Sequence, residues 1–281
     1  MSMIDAMKAR KSVRRYAEEE LNEERKKTIG KRLQEVGHGV FGNHPQFAFI
    51  EKALANKEEK VKLGTYGFIQ GAKYFIAGAV QKNENAEVDF GYLMERVVLE
   101  MTAMQLGTCW IGGTFRREDY FKVMNVSSET LIPAIVSVGA SADRRSTLEK
   151  LVRWQAKSDS RKPWKELFFN RDLATPLSET EAGAYTVPLE MLRIAPSASN
   201  KQPWRIVKDG NAFHFFLERT KGYRKLVPSV DLQQIDMGIA MRHFEEASKE
   251  SGLMGAWIKA DKKPDVKDAL EYIITWSVKT T

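Results

Sequence analysis

The sequence predicts a mixed fold of strands and helices, α+β or α/β, assembled from two copies of one unit. Two observations carry this. Apolar runs of strand length alternate with runs of helical periodicity along the first half of the chain. The chain also matches itself without gaps at an offset of 236 − 89 = 147: Asp89 falls on Asp236, Gly91 on Gly238, Met94 on Met241, Leu106 on Leu253 and Trp110 on Trp257. "DFGYLMERVVLEMTAMQLGTCW" and "DMGIAMRHFEEASKESGLMGAW" therefore read as two versions of one long helix and the turn after it.

In chain order, residues 4–36 read as two helices broken near Tyr16, and 37–45 as a loop. "QFAFIEKAL" reads as a strand. "AKYFIAGAV" (72–80) is a short apolar run after Gly71, which suits a buried strand. Residues 89–107 are apolar around most of a helical circumference and predict a long buried helix. "TCWIGG" reads as a tight turn, "RREDYFKVMNV" as a short helix, and "LIPAIVSVGAS" (131–141) as another buried strand. A polar, basic stretch follows Ser141, and then the pattern restarts. Two further echoes keep the same order: Arg161-Lys162 falls under Arg10-Lys11, and "SNKQPWRIVKD" under "GNHPQFAFIEK". The expected copies are 1–150 and 151–281, joined near 145–160.

Composition narrows the function classes. The chain has 281 residues, 43% hydrophobic and 29% charged, with six Trp and fourteen Phe to build a core. No apolar run approaches the roughly 18–20 residues that span a bilayer, and the N-terminus lacks a signal-peptide pattern. With one cysteine there is no disulfide framework or multi-cysteine metal site. A cytoplasmic protein is expected. The net charge of +7 is spread among acids, as in "EEELNEERKKTIGKRLQE" (18–35), a solvated helix face rather than a basic block. No zinc-finger spacing or aromatic RNA-binding signature is present, so neither a nucleic-acid nor a membrane partner is expected. The histidines at 38, 44, 214 and 243 show no metal-ligand spacing, and no metal is expected.

Three motifs stand out: "RKSVRRY" at 10–16, "GTCWIGG" at 107–113 and "PSASNKQPW" at 196–204. Together they resemble the FMN-dependent nitroreductases, over most of the chain. That family carries an Arg-x-Ser-x-Arg run near the N-terminus, a Pro-Ser-x-x-Asn-x-Gln-Pro-Trp loop, and a long helix ending in Gly-x-x-Trp-Ile-Gly-Gly. The resemblance implies a nitroreductase-like α+β fold, each copy with a mixed or antiparallel sheet and packed helices. Family members are homodimers with each flavin at the interface, one subunit giving the Arg/Ser run and the other the Pro-Ser loop. Here both sides come from one polypeptide, which implies a monomeric pseudo-dimer with further dimerisation left open. Copy two has "RKPWKE" in place of "RKSVRR", and copy one has "VFGNHPQF" in place of "PSASNKQPW", so the symmetry-related site is degenerate and one FMN per chain is expected.

Physically, FMN presents a dianionic phosphate and a flat ring with a polar edge. Guanidinium forks suit the phosphate, and the resemblance assigns it Arg10, Lys11, Ser12 and Arg14, with Arg144 or Arg145 as a second basic contact. Each of these arginines alone would read as a solvated surface charge. By resemblance, Asn200 with the backbone around Pro196, Ser197 and Ala198 holds one edge of the ring, Gln202 completes the loop, and the Ile111-Gly112-Gly113 backbone approaches the redox edge, where glycine permits close contact. Without the motif, "PSASN" is a run of turn formers and Gly112-Gly113 a helix cap. Hydride transfer to a flavin needs no protein nucleophile, so no catalytic side chain is assigned. Cys109 reads as a small hydrophobe rather than a redox thiol, and Trp204 and Trp257 as core anchors. The expected activity is hydride transfer from NAD(P)H, a transient electron donor, through FMN to a small-molecule substrate such as a nitroaromatic, a quinone or a flavin. The alternative is a flavin-binding or sensing module without reductase activity. Residues 41–47, 63–68 and 114–120, and the glycines around Tyr66, are the expected walls of the acceptor pocket.

Overall fold

The computed structural model describes residues 1–58, 63–127, 129–142, 160–266 and 270–279. The first segment forms helices α1 (Met3–Ala9) and α2 (Glu23–Gln34). Each starts at a side-chain cap, Ser2 Oγ accepting the Asp5 N–H at 3.1 Å and Asn22 Oδ1 the Arg25 N–H at 2.9 Å. The break between them is wider than the sequence predicts. Residues 10–17 run extended, because their backbone is claimed by neighbours: Val13 N–H donates to Thr108 O at 2.8 Å, Tyr16 N–H to Gln70 O at 3.0 Å and Ala17 N–H to Ala140 O at 2.9 Å.

The remainder follows in order: β1 (Gln46–Glu51), α3 (Lys52–Glu58), β2 (Tyr74–Gln81), α4 (Ala86–Ala103), β3 (Gly107–Ile111), α5 (Arg117–Val123), β4 (Thr130–Leu131), β5 (Ile135–Gly139), β6 (Phe168–Asn170), α6 (Glu179–Ala182), α7 (Thr186–Arg193), β7 (Trp204–Asp209), β8 (Ala212–Glu218), α8 (Leu232–Glu250), β9 (Gly255–Ile258) and β10 (Leu270–Val278). Three readings are corrected. "TCWIGG" is a strand rather than a tight turn, since β3 pairs with β5 over all five of its residues, and only Gly112-Gly113 turn. "QFAFIEKAL" is a strand only to Glu51 and then a helix. "LIPAIVSVGAS" splits into β4 and β5 around Pro133, which has no N–H to continue a ladder.

The first sheet has the order β1-β2-β5-β3, with β4 against the end of β2, and the second β6-β7-β8-β10-β9. Apart from β4 and β6, the two repeat one another: β1, β2, β5 and β3 correspond in order to β7, β8, β10 and β9, and every such pairing is antiparallel. Both faces of the first sheet are covered. Tyr74, Ile76 and Val80 join the main core with α4 and α8, and Phe75, Ala77 and Ala79 join a second cluster with Val13, Tyr16, Phe115 and Tyr120. A strand buried on both faces reads as a continuous apolar run, which is why "AKYFIAGAV" lacks alternation. The main core runs unbroken from one sheet to the other.

The centre of that core is the crossing of α4 with α8. Gly91 lies against the carbonyl of Ile235, and Gly238 against the carbonyl of Val88; a Cβ on either glycine would overlap that oxygen. Since 235 − 88 = 238 − 91 = 147, the two contacts are one contact made twice, as in a self-complementary dimer interface. Around it the helices exchange polar groups. Tyr92 OH donates to Glu245, Arg242 Nε donates to Tyr92 O at 3.0 Å, and the Arg242 guanidinium lies 3.6 Å from the centre of the Tyr92 ring.

Gly238→Ala is expected to destabilise the fold by about 1–3 kcal/mol, because two backbones must move apart. Gly30→Ala, whose Cβ meets nothing within 4 Å on α2, is expected to stabilise it by about 0.5–1 kcal/mol. Denaturant midpoints of both variants check this; equal effects would refute the tight crossing.

Candidate functional site

A cavity of about 420 Å³ opens between the two copies, within the usual size range of small-molecule sites. From the first copy it takes Ser12, Arg14, Gly112 and Gly113, and from the second Pro196, Ser197, Ala198 and Asp236. Two motifs at opposite ends of the chain thus face one space, brought there by the crossing of α4 with α8.

The first wall is the extended run after α1. Val13 and Tyr16 pack into the second core cluster, with Tyr16 OH donating to Ser137 O at 3.0 Å. Burial pushes the Tyr16 hydroxyl pKa up. Ser12 and Arg14 are left to line the cavity. Arg14 Nη1 is buried with no hydrogen-bond partner among the described residues. A guanidinium N–H in that condition is a built donor for an anion. Lys11 is exposed and, like Arg10 and the buried Ile111, does not line the cavity. Arg144 and Arg145 lie outside the described residues.

The second wall is the turn after β3, fixed by a residue without a sequence motif. Arg117 donates to the carbonyls of Gly112 at 2.6 Å, Pro133 at 3.0 Å and Ile132 at 3.1 Å, and its guanidinium lies over the Phe115 ring. Three oriented carbonyls on one planar fork hold the Gly-Gly turn rigid. Trp110, also at the wall, donates from Nε1 to Glu95 Oε2 at 2.7 Å. Glu95 Oε1 in turn lies 2.9 Å from His243 Nε2, whose Nδ1 lies 2.9 Å from Met191 O. This buried relay joins the wall to helices α4, α8 and α7. Cys109, inside β3, is buried.

The third wall is the Pro196–Gln202 loop. Ser199, Asn200 and Gln202 all have positive φ, at 49°, 53° and 48°, a region that costs non-glycine residues about 1–2 kcal/mol each. The strain is held by side chains. Ala198 N–H donates to Asp236 Oδ1 at 2.8 Å, Gln202 N–H to Ser197 Oγ at 2.9 Å, and Lys162 N–H to Gln202 Oε1 at 2.7 Å. Asn200 Nδ2 donates to Ser160 O at 2.8 Å, and Arg161 Nη1 to Asn200 Oδ1 at 3.3 Å. Asn200 and Gln202 are therefore turned towards residues 160–162 and do not line the cavity. The "RKPWKE" run, expected as the remnant of a phosphate site, here braces that loop.

Of the wall residues that no motif announced, four stand out. Tyr223 donates from its OH to Ser199 Oγ at 3.0 Å, and burial raises its pKa. Phe68 and Leu226 are apolar side chains 44% and 70% exposed at the cavity, and Phe68 does fall in the expected 63–68 segment. Asp236, 2% exposed, could have been found, because the repeat sets it under Asp89. Residues 41–47 instead close over Asp89 in the first copy, with Phe41 and Asn43 donating to it. Trp204 is fully buried, and Trp257 packs beside Phe215 and Trp276 with its Nε1 donating to Glu245 at 2.7 Å. Among the described residues, no group of three or more His, Cys, Asp or Glu side chains could hold a metal ion, and no helix is long and apolar enough to cross a membrane.

Comparisons with known proteins agree with this fold. A solved structure described as "a putative nitroreductase" from Thermotoga maritima is similar over 99% of this chain and 93% of its own, at 20% identity and a TM-score of 0.61. A nitroreductase with bound FMN from Bacteroides fragilis is similar over 52% of this chain and 91% of its own, at 19% identity and a TM-score of 0.41. An FMN-dependent nitroreductase from Clostridium difficile covers 51% and 90%, at 20% identity and 0.40. No curated protein matches the chain. A family model described as "Putative TM nitroreductase" matches residues 2–248. The chain belongs to this nitroreductase family of oxidoreductase enzymes, with its α+β fold of two sheets and packed helices.

Proposed function

We propose that the chain binds one FMN in the cavity between its two copies and acts as an NAD(P)H-dependent oxidoreductase on a small aromatic acceptor: a nitroaromatic, a quinone or a flavin. The observation that carries this reading is Arg14, which lines the same space as the Pro196–Ala198 loop with its Nη1 buried and without a hydrogen-bond partner among the described residues. Arg14 and Ser12 would hold the phosphate, and the Gly112-Gly113 turn and the Pro196–Ala198 loop would flank the ring. FMN, when bound, supplies the two-electron chemistry between nicotinamide and acceptor. The chain's own residues bind, orient and exclude water. Arg117 anchors the Gly-Gly turn through the Gly112 carbonyl, the Glu95–Trp110 bond fixes one wall, and Phe68, Leu226 and Val227 offer an apolar entrance for a flat acceptor.

A single site per chain is supported by the first copy's loop, where donors from Phe41 and Asn43 saturate Asp89 and Gly39 packs against its side chain. The α4–α8 crossing takes the place of a subunit interface, so the flavin site is complete in one polypeptide.

Flavin released from purified protein is expected at one FMN per chain, and anaerobic NADH or NADPH is expected to bleach it. Two FMN per chain, or none after soaking, would contradict the site; one FMN left oxidised by both donors would assign a binding module instead. Arg14→Ala is expected to weaken FMN binding roughly 10- to 150-fold, as for loss of a charge-assisted hydrogen bond worth about 1.5–3 kcal/mol. Fluorescence titration measures it, and unchanged affinity would remove Arg14 from the site.

A further inference from the structure

The two copies press the same carboxylate against the same loop and complete it differently. Asp89 corresponds to Asp236, and, since 198 − 41 = 200 − 43 = 157, Phe41 corresponds to Ala198 and Asn43 to Asn200. In the first copy, Phe41 N–H reaches Asp89 Oδ1 at 3.0 Å, while Asn43 N–H and Nδ2 each reach Oδ2 at 3.0 Å. Protein donors fill both oxygens. In the second copy, Ala198 N–H makes the corresponding bond to Asp236 Oδ1 at 2.8 Å. Asn200, which would fill Oδ2, is turned away: its N–H goes to Ser197 O at 2.9 Å and its Nδ2 to Ser160 O at 2.8 Å. Asp236 Oδ2 is left buried with no hydrogen-bond partner among the described residues, in a side chain that lines the cavity.

A buried polar oxygen without a partner is costly unless something else supplies the bond. The titratable groups around Asp236 do not supply it. Asp231, which caps the start of α8, is held by Arg219 and Arg224 at 2.6 Å each. Tyr223 gives its hydroxyl proton to Ser199, and Arg14 lines the cavity from the other copy. Burial, with repulsion from Asp231, holds the Asp236 carboxyl well above the usual carboxylate range, against the single Ala198 bond that lowers it. A neutral carboxyl accepts at one oxygen and donates from the other, which suits this environment.

We propose that Asp236 is a ligand-binding residue: Oδ1 fixes the loop through Ala198, and Oδ2–H donates to a carbonyl oxygen or ring nitrogen of a flat heteroaromatic ring in the cavity. The ring's identity as flavin rests on the function proposed above. The "RKPWKE" run acquires a role as well, since Ser160 and Arg161 hold Asn200 away from the carboxylate and leave Oδ2 to the ligand.

The test compares wild type, Asp236→Asn and Asp236→Leu, titrated with FMN by fluorescence across pH, with infrared spectra of each protein free of ligand. Asparagine keeps an acceptor and a donor, so D236N is expected to bind within about threefold of wild type, whereas D236L loses about tenfold or more. Wild-type affinity is expected to fall as pH rises through the raised Asp236 titration, and that of D236N to stay level. A protonated-carboxyl stretch present in wild type and missing from D236N is the second expected result. D236N binding as poorly as D236L, D236L binding like wild type, or a wild type without that stretch each overturns the proposal. Should D236L fail to fold, the pH profiles of wild type and D236N decide. Should wild type take up no FMN, the flavin reading fails separately, and the infrared stretch of the ligand-free protein decides for or against a buried donor at Asp236.

Discussion

Two backbones touch at the centre of this molecule, Gly91 on Ile235 and Gly238 on Val88, and the site follows from that contact. Glycine at both positions lets α4 and α8 approach to backbone distance. The approach sets each helix against its own sheet and joins the two cores into one. The same crossing places the run after α1 opposite the Pro196 loop. Because the contact is made twice by related residues, it has the geometry of a symmetric dimer interface inside one chain. Joining the copies covalently frees each from having to serve both roles, since a mutation in one is no longer copied into the other.

The consequences are visible in paired residues. Asp89 and Asp236 correspond in the repeat, and of the two Asp236 has an oxygen without a hydrogen-bond partner among the described residues. The first copy keeps Arg14 and gives up its ligand loop to packing over Asp89. The second keeps the loop under strain and uses its former cationic run to brace it. Each half-site is specialised, and neither is complete alone.

Much of this was legible in the sequence because it was written as repetition or as spacing. The 147-residue offset identified the long helices, their glycines and both aspartates, and the buried strand at 72–80 showed as an apolar run. What failed to show depended on long-range partners. Gly107–Ile111 looks like a turn until β5 supplies its ladder. The chain after Arg10 looks helical until Thr108, Gln70 and Ala140 claim its backbone. Asn200 carries a ring-binding motif, but its side chain is settled by Ser160 and Arg161, forty residues upstream or nearly so. Arg117 has no motif at all, and its value comes from three carbonyls that only the fold brings together.

The central claim is that one ligand site is shared by the two copies, and a crystal structure of the flavin-loaded protein tests it most directly. The account predicts a single flavin in the cavity, its phosphate on Arg14 and its ring between Gly112-Gly113 and Pro196–Ala198. Flavin seated against Asp89, or held by residues of one copy alone, would contradict it.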